Sequence, residues 1–193
     1  MLSSTLKRAV GIAVLAGASA GAYADTTTDL GQVSTSTPTT FTGSVLGGSS
    51  SFSDIFKFTL EQPNSGSGYS VINFPLDLGS AGTLNTVFSS VALISYGADN
   101  AFGGGDDQVL KSVVLPSDGN TQDHISLTWD QPITGGAYLS VNGVVDGSLG
   151  GIYSGSISAS AVSPIPEPES FAMLLAGLGL MGAVVRRRSS RNT

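Results

Sequence analysis

The ten residues Ser51-Phe52-Ser53-Asp54-Ile55-Phe56-Lys57-Phe58-Thr59-Leu60 alternate in character from one position to the next. In an extended chain successive side chains point to opposite faces. Phe52, Phe56, Phe58 and Leu60 therefore share one face with Asp54, and Ser53, Ile55, Lys57 and Thr59 share the other. A helix would spread the phenylalanines around its circumference, so period two with one aromatic face predicts a half-buried strand. Residues 123–130 behave alike, with Ile125, Leu127 and Trp129 on one side and His124, Ser126, Thr128 and Asp130 on the other.

Working outward, strand-like runs rich in Val, Thr, Ile and aromatic residues occur at 39–46, 69–76, 84–96, 108–115, 136–142 and 152–162. Turn signals separate them: Gly47-Gly48, Asn64-Ser65-Gly66, Gly79-Ser80, Gly103-Gly104-Gly105, Asp118-Gly119, Gly135-Gly136 and Asp146-Gly147. No stretch between residues 25 and 163 keeps a helical period for three turns. The expectation is an all-β domain over 25–163, a single antiparallel β-sandwich of jelly-roll type. Phe56, Phe58, Leu60, Ile72, Phe74, Val91, Leu93, Leu127, Trp129, Leu139 and Val141 are its expected core, with a central strand within 87–96.

Asp54 breaks the pattern, because a carboxyl among phenylalanines is costly unless partnered. Three accounts fit the sequence: a rim or bulge position taking backbone N–H bonds, a cation site, or pairing with a hydroxyl or a lysine.

The two ends read as addresses. Lys7 and Arg8 precede an apolar run from Ala9 to Ala20, and Ala22-Tyr23-Ala24 is a small-x-small cleavage site before Asp25. That is the make-up of a secretory signal peptide over residues 1–24. At the other end, Pro164-Ile165-Pro166-Glu167-Pro168-Glu169 predicts a stiff extended linker, since proline fixes φ and biases its predecessor away from helix. Ser170 to Val185 then runs sixteen residues without a charge into Arg186-Arg187-Arg188. As a helix this run is roughly 24 Å long, short of a ~30 Å hydrocarbon core, and arginines at its end can snorkel and mark the cytoplasmic side. A transmembrane tail helix is therefore expected, with the domain outside the inner membrane.

Pro166-Glu167-Pro168, the Leu/Gly/Ala-rich span 173–180 and the terminal arginines together resemble the PEP-CTERM sorting signal of Gram-negative bacteria, here over 164–193. The resemblance implies recognition and removal of the tail by an exosortase, a membrane protease. It also implies a place at the cell surface or in the extracellular matrix, in company with exopolysaccharide and biofilm. Phe52, Asp54 and Phe56 resemble the signature of the FxDxF group of such proteins, and 135–143 and 151–157 are similar to that group's last two strands. A similar arrangement occurs in bacterial pre-peptidase C-terminal domains, small jelly-roll sandwiches. Neither resemblance supplies a catalytic residue.

Composition removes several function classes. The chain has no cysteine and one histidine, which excludes a disulfide framework, a thiolate zinc site, a cysteine nucleophile and a His-x₃-His metal motif. Residues 25–163 hold only Lys57 and Lys111 against twelve acids, a net charge of −10, and nucleic acid is not expected as a partner. His124 is the sole histidine base for a triad, with Asp123 and Ser126 nearby in sequence, but no serine sits in a nucleophile elbow. Asp106 and Asp107 are adjacent rather than set across a sugar, and Glu61 is the only glutamate of the domain. Asp99, Asp106 and Asp107, with Asn100 and Gln108, surround the glycine loop and offer hard oxygen ligands to calcium, without the regular spacing of a calcium-binding loop. The glycine run itself lacks the Lys-Ser/Thr or following helix of a phosphate cradle. Tyr69, Tyr96, Phe102, Trp129, Tyr138 and Tyr153 include candidate sugar-stacking platforms. The sequence thus favours a non-enzymatic surface or matrix protein, with a carbohydrate-binding module as the alternative and an enzyme third.

Overall fold

In the computed structural model, strand β3 (Ser51–Leu60) forms over the ten residues quoted above and buries the expected face: Phe52, Asp54, Phe56, Phe58 and Leu60. The structure describes residues 25–48, 50–162 and 168–189. The signal-peptide reading, with Ala22 and Ala24, lies outside the described residues, as do Pro166 and Glu167 of the tail motif.

Ten further strands surround β3: β1 (Thr27–Val33), β2 (Thr39–Leu46), β4 (Asn64–Asn73), β5 (Leu76–Asp77), β6 (Thr83–Leu84), β7 (Thr86–Ser95), β8 (Gln108–Val114), β9 (His124–Trp129), β10 (Gly136–Val145) and β11 (Gly150–Ala161). They build two sheets. The first runs β1-β3-β10-β7-β8, and the second runs β5-β6-β11-β4-β9 with β2 on the free side of β11. Their inner faces meet in one apolar core that includes Phe56, Phe58, Leu60, Val91, Leu93, Leu127, Leu139 and Val141. Each such side chain contributes about 1.5–3 kcal/mol by leaving water, which is how a domain without disulfides holds together.

The sandwich is mixed rather than purely antiparallel, because β1 pairs parallel to β3 and β6 parallel to β11. Strand β1 escapes the sequence pattern for a physical reason: Thr-Thr-Asp-Leu-Gly-Gln-Val lies on the sheet edge, buries only Val33 and needs no alternation. Strand β4 begins at Asn64, where a turn was expected. Asn64 is buried, and its amide bridges the backbone of Ile133, accepting from that N–H at 3.0 Å and donating to that carbonyl at 3.1 Å. Ile72 and Phe74 were expected in the core and are instead 42% and 48% exposed. Counting from buried Tyr69 and Val71, Ile72 falls on the outer face of β4, and Phe74 follows past the strand end. Trp129 is half-buried and packs on the core from its margin. Strand β7 is flanked by β10 and β8, as expected for an interior strand.

Glycines make room for the aromatic core. A Cβ on Gly43 would run into the Tyr153 ring, and one on Gly155 into the Phe41 ring. Gly43→Ala should therefore cost about 1–3 kcal/mol by overpacking, read from a urea unfolding midpoint, and an unchanged midpoint would show that the ring can move aside.

Glu61, at the end of β3, holds the crossover from β1 to β2. Its carboxylate accepts from Ser34 Oγ (2.8 Å), Thr35 N–H (2.7 Å) and Thr35 Oγ1 (3.1 Å). These bonds, that from the Thr35 N–H foremost, hold its pKa below the usual carboxylate value. A depressed folded pKa contributes stability above the unfolded value and loses it as pH falls through the folded one. Glu61→Gln should thus flatten the decline in stability below about pH 4.3, and an identical acid limb in both proteins would exclude this role.

Candidate functional site

The motif of Phe52, Asp54 and Phe56 assembles around Tyr153 of β11. Asp54 is 1% exposed and lies in regular register opposite Val141 of β10, so it is neither at a rim nor at a bulge. Its Oδ1 accepts from the Thr26 N–H (3.0 Å) and the Thr26 hydroxyl (2.6 Å), and its Oδ2 accepts from the Tyr153 hydroxyl. Of the three accounts left open by the sequence, the hydroxyl partnership is the one observed, with one backbone N–H added. Burial foremost, then the bond to Asp54 and its charge, raises the Tyr153 phenol well above its ordinary pKa. Phe52 stacks on Tyr153 with ring centroids 5.5 Å apart, and Phe56 and Phe88 meet it edge-on at 6.4 and 5.5 Å. The motif is thus a buried polar latch sheathed in aromatic rings. Thr26 and Tyr153 were not singled out as its partners. Tyr153 carried a usable signal, since Tyr153, Gly155, Ile157 and Ala159 share one face at period two.

A second constellation lies on the outer face of the first sheet, where the loop between β7 and β8 folds back. Its acids hold its own backbone. Asp106 accepts from the Ala98 N–H (2.7 Å) and the Asp99 N–H (3.2 Å), and Asp99 from the Ala101 N–H (2.8 Å). Asp107 accepts from the Gly103 N–H (3.0 Å) and from the Tyr138 hydroxyl (3.2 Å). These bonds, led by the one from Ala98, keep the Asp106 pKa below its usual value. The three carboxylates named as calcium ligands are therefore turned to backbone donors. Among the described residues no group of three or more His, Asp or Glu side chains stands where it could hold a metal ion.

What the braced loop presents is aromatic. Phe102, at its tip, meets Tyr138 edge-on at 5.0 Å and Tyr96 at 6.0 Å, and the two tyrosines lie 6.1 Å apart. Phe102 is 42% exposed. The Lys57 ammonium stands 5.7 Å from its ring centroid and 3.6 Å from Asp29 of β1. Burial first, with the nearby Asp29 and Asp107 charges, raises the Tyr96 pKa, and burial with the Asp107 bond raises that of Tyr138. Of the six aromatics weighed as stacking platforms, Tyr69 and Tyr153 are in the core and Trp129 is at its margin, while Tyr96, Phe102 and Tyr138 gather here.

The residues weighed for hydrolysis do not assemble into a triad. Asp123 Oδ1 accepts from Asn73 Nδ2 at 2.8 Å, and the Ser126 hydroxyl donates to Asn120 Oδ1 at 3.3 Å.

The tail forms helix α1 (Pro168–Ser189), 22 residues long, beginning two residues earlier than the uncharged run and ending past Arg186, Arg187 and Arg188. Pro168 is its first residue, a position where the missing N–H costs nothing. Met173, Leu174, Leu175, Leu178, Leu180 and Met181 are all exposed. Among the described residues no helix is long and apolar enough to cross a membrane. The expected tail helix is present. Sixteen uncharged residues are few, and Gly177, Gly179 and Gly182 thin their apolar surface.

Residues 164–188 match the family model of the PEP-CTERM protein-sorting motif. The matched span contains Pro166, Glu167, Pro168 and all three consecutive arginines. The chain therefore carries this sorting motif at its C-terminus, and the motif implies an exported protein that an exosortase sorts. No curated protein matches the chain.

Proposed function

We propose that the chain is a non-enzymatic protein of the cell surface or extracellular matrix, a member of the FxDxF group, which works in association with exopolysaccharide and biofilm. The sorting motif directly behind a single sandwich is the observation that carries this reading. The tail helix supports a temporary stop in the inner membrane. Its uncharged run is too short to be a secure anchor, and arginines that reach the cytoplasmic interface make up part of the difference. The buried role of Asp54 supports reading the FxDxF signature as a device of the fold rather than of chemistry.

The test is location. Matrix, surface, periplasmic and inner-membrane fractions of the native host grown as a biofilm would be probed for residues 25–162. Recovery from surface and matrix, with release on polysaccharide digestion, supports the proposal. Recovery from the periplasm alone overturns it.

The corner of Tyr96, Phe102 and Tyr138 favours a second reading, carbohydrate binding. The exposed Phe102 ring offers an apolar face to the C–H side of a sugar, with the half-buried Tyr96 and Tyr138 beside it. Saturable binding of an oligosaccharide that weakens about tenfold or more in Phe102→Ala would support it.

A further inference from the structure

We propose that the corner formed by Phe102, Tyr96 and Tyr138 binds amine-bearing sugar, namely a hexosamine polymer whose amino groups are free and protonated. The inference rests on the carbohydrate reading above and adds the class of sugar.

The argument is one of charge and geometry. The corner already holds one ammonium: Lys57 Nζ stands 5.7 Å from the Phe102 centroid and 3.6 Å from an Asp29 oxygen. An aromatic face backed by a carboxylate is a site for an alkylammonium, because the ring quadrupole and the carboxylate attract the same charge. Residues 25–163 hold two basic residues, of which Lys111 is bonded to the Thr128 carbonyl and Lys57 stands here beside Asp29, while Asp99, Asp106 and Asp107 lie in the loop that carries Phe102. Local charge is therefore net negative, and so is the domain, at −10 over residues 25–163. A polyuronate would be repelled by this field, and a neutral glucan would gain nothing from it. A chain with an ammonium on successive rings gains from both the field and the rings, and its pyranose faces stack on the same side chains.

The loop is also held ready. Asp99, Asp106 and Asp107 brace its backbone, and Asn100 Oδ1 accepts from the Gly136 N–H at 2.6 Å, fastening it to β10. Phe102 is thus presented without a large ordering cost on binding.

The full-length protein in detergent micelles would be titrated calorimetrically with hexamers of glucosamine, N-acetylglucosamine and glucose, and with hexalysine. The expected result is that the glucosamine hexamer binds at least about tenfold more tightly than the other two sugars, and that Phe102→Ala removes most of that affinity while Phe102→Tyr restores it. Binding should also fall as pH rises and the sugar amine loses its proton. Phe102-dependent binding of all three sugars alike would overturn the amine inference and leave the carbohydrate reading standing. Absence of binding by every sugar would overturn both. Tight binding of glucosamine and hexalysine alike, unchanged in Phe102→Ala and abolished by salt, would assign the attraction to diffuse acidity and overturn the site. Unfolding midpoints of the variants would be compared first; Phe102 is exposed, and both variants should match the parent.

Discussion

Asp54→Ala should destabilise the sandwich by roughly 3–5 kcal/mol, among the largest effects of any single substitution in the domain. Three donors converge on this carboxyl: the Thr26 N–H, the Thr26 hydroxyl and the Tyr153 hydroxyl. Alanine leaves the buried Tyr153 hydroxyl without its acceptor, at about 1–3 kcal/mol, and removes both bonds from Thr26. Thr26 is exposed and its donors can turn to water, but it then no longer gains the about 1.5–3 kcal/mol of a bond to a charged group. Asp54→Asn keeps the shape but presents an NH₂ to one set of donors, so it should fall between the parent and alanine. Tyr153→Phe removes a single donor and should cost about 1–3 kcal/mol. The pair should be non-additive, with Asp54→Ala/Tyr153→Phe less destabilised than the sum of the single changes, because the orphan created by the first is deleted by the second. Urea unfolding of the four proteins measures this. A single-mutant cost under about 1 kcal/mol would mean that water satisfies the donors and that the latch is dispensable.

The same substitution should loosen the N-terminal strand. Thr26 and Asp25 are the first residues after the expected cleavage site, and both are fastened to β3. Asp25 Oδ1 accepts from the Ser53 N–H at 3.1 Å, and the Ile55 N–H donates to the Thr26 carbonyl at 2.7 Å. Amide exchange in β1 should therefore accelerate in Asp54→Ala ahead of exchange in β10.

Much of this architecture was written in period two. Strands β2 and β3 were placed to the residue and β7 and β9 to within about two, because each alternates between a buried and a wet face or, like β7, lies within the sheet. The edge strand β8 buries no residue fully and is marked by its valines instead. What escaped did so for local reasons. Strand β1 is an edge strand with little to bury, so its polar sequence reads as loop, and its parallel pairing depends on a crossover that no local pattern encodes. Asn64-Ser65-Gly66 has the composition of a turn, yet Asn64 is drawn inside by the Ile133 backbone 69 residues away. Ile72 was counted into the core on hydrophobicity alone, although the spacing from Tyr69 and Val71 already set it on the other face. The candidate site was legible as residue types only. Tyr96, Phe102 and Tyr138 were visible as aromatics and Asp99, Asp106 and Asp107 as acids, but that the acids brace the loop and the aromatics line it is a matter of tertiary contact.

Replacing Arg186, Arg187 and Arg188 together by glutamine should abolish sorting. In the parent, intact mass from the native host should show a surface or released species lacking about the last 25 residues, since the tail is expected to be removed as a unit. In the variant the tail should stay on the chain. The cause is mechanical. The sixteen-residue uncharged run of the helix is shorter than the bilayer core, so its depth is poorly fixed by hydrophobicity alone. Each arginine resists the hydrocarbon by about 2.5–3.5 kcal/mol, and three in succession pin one end of the helix at the cytoplasmic interface. That pin is taken to set the depth at which the exosortase meets the sorting motif. Glutamine keeps length and helix propensity while removing the charge, so a change in processing would report the pin and not the helix. If the variant were trimmed and released like the parent, the arginines would not set the depth, and recognition would have to rest on Pro166, Glu167 and Pro168. If the parent itself kept its tail in the inner membrane, the sandwich would be a tethered periplasmic domain. The matrix assignment would then fall, while the latch at Asp54, which depends on folding alone, would be untouched.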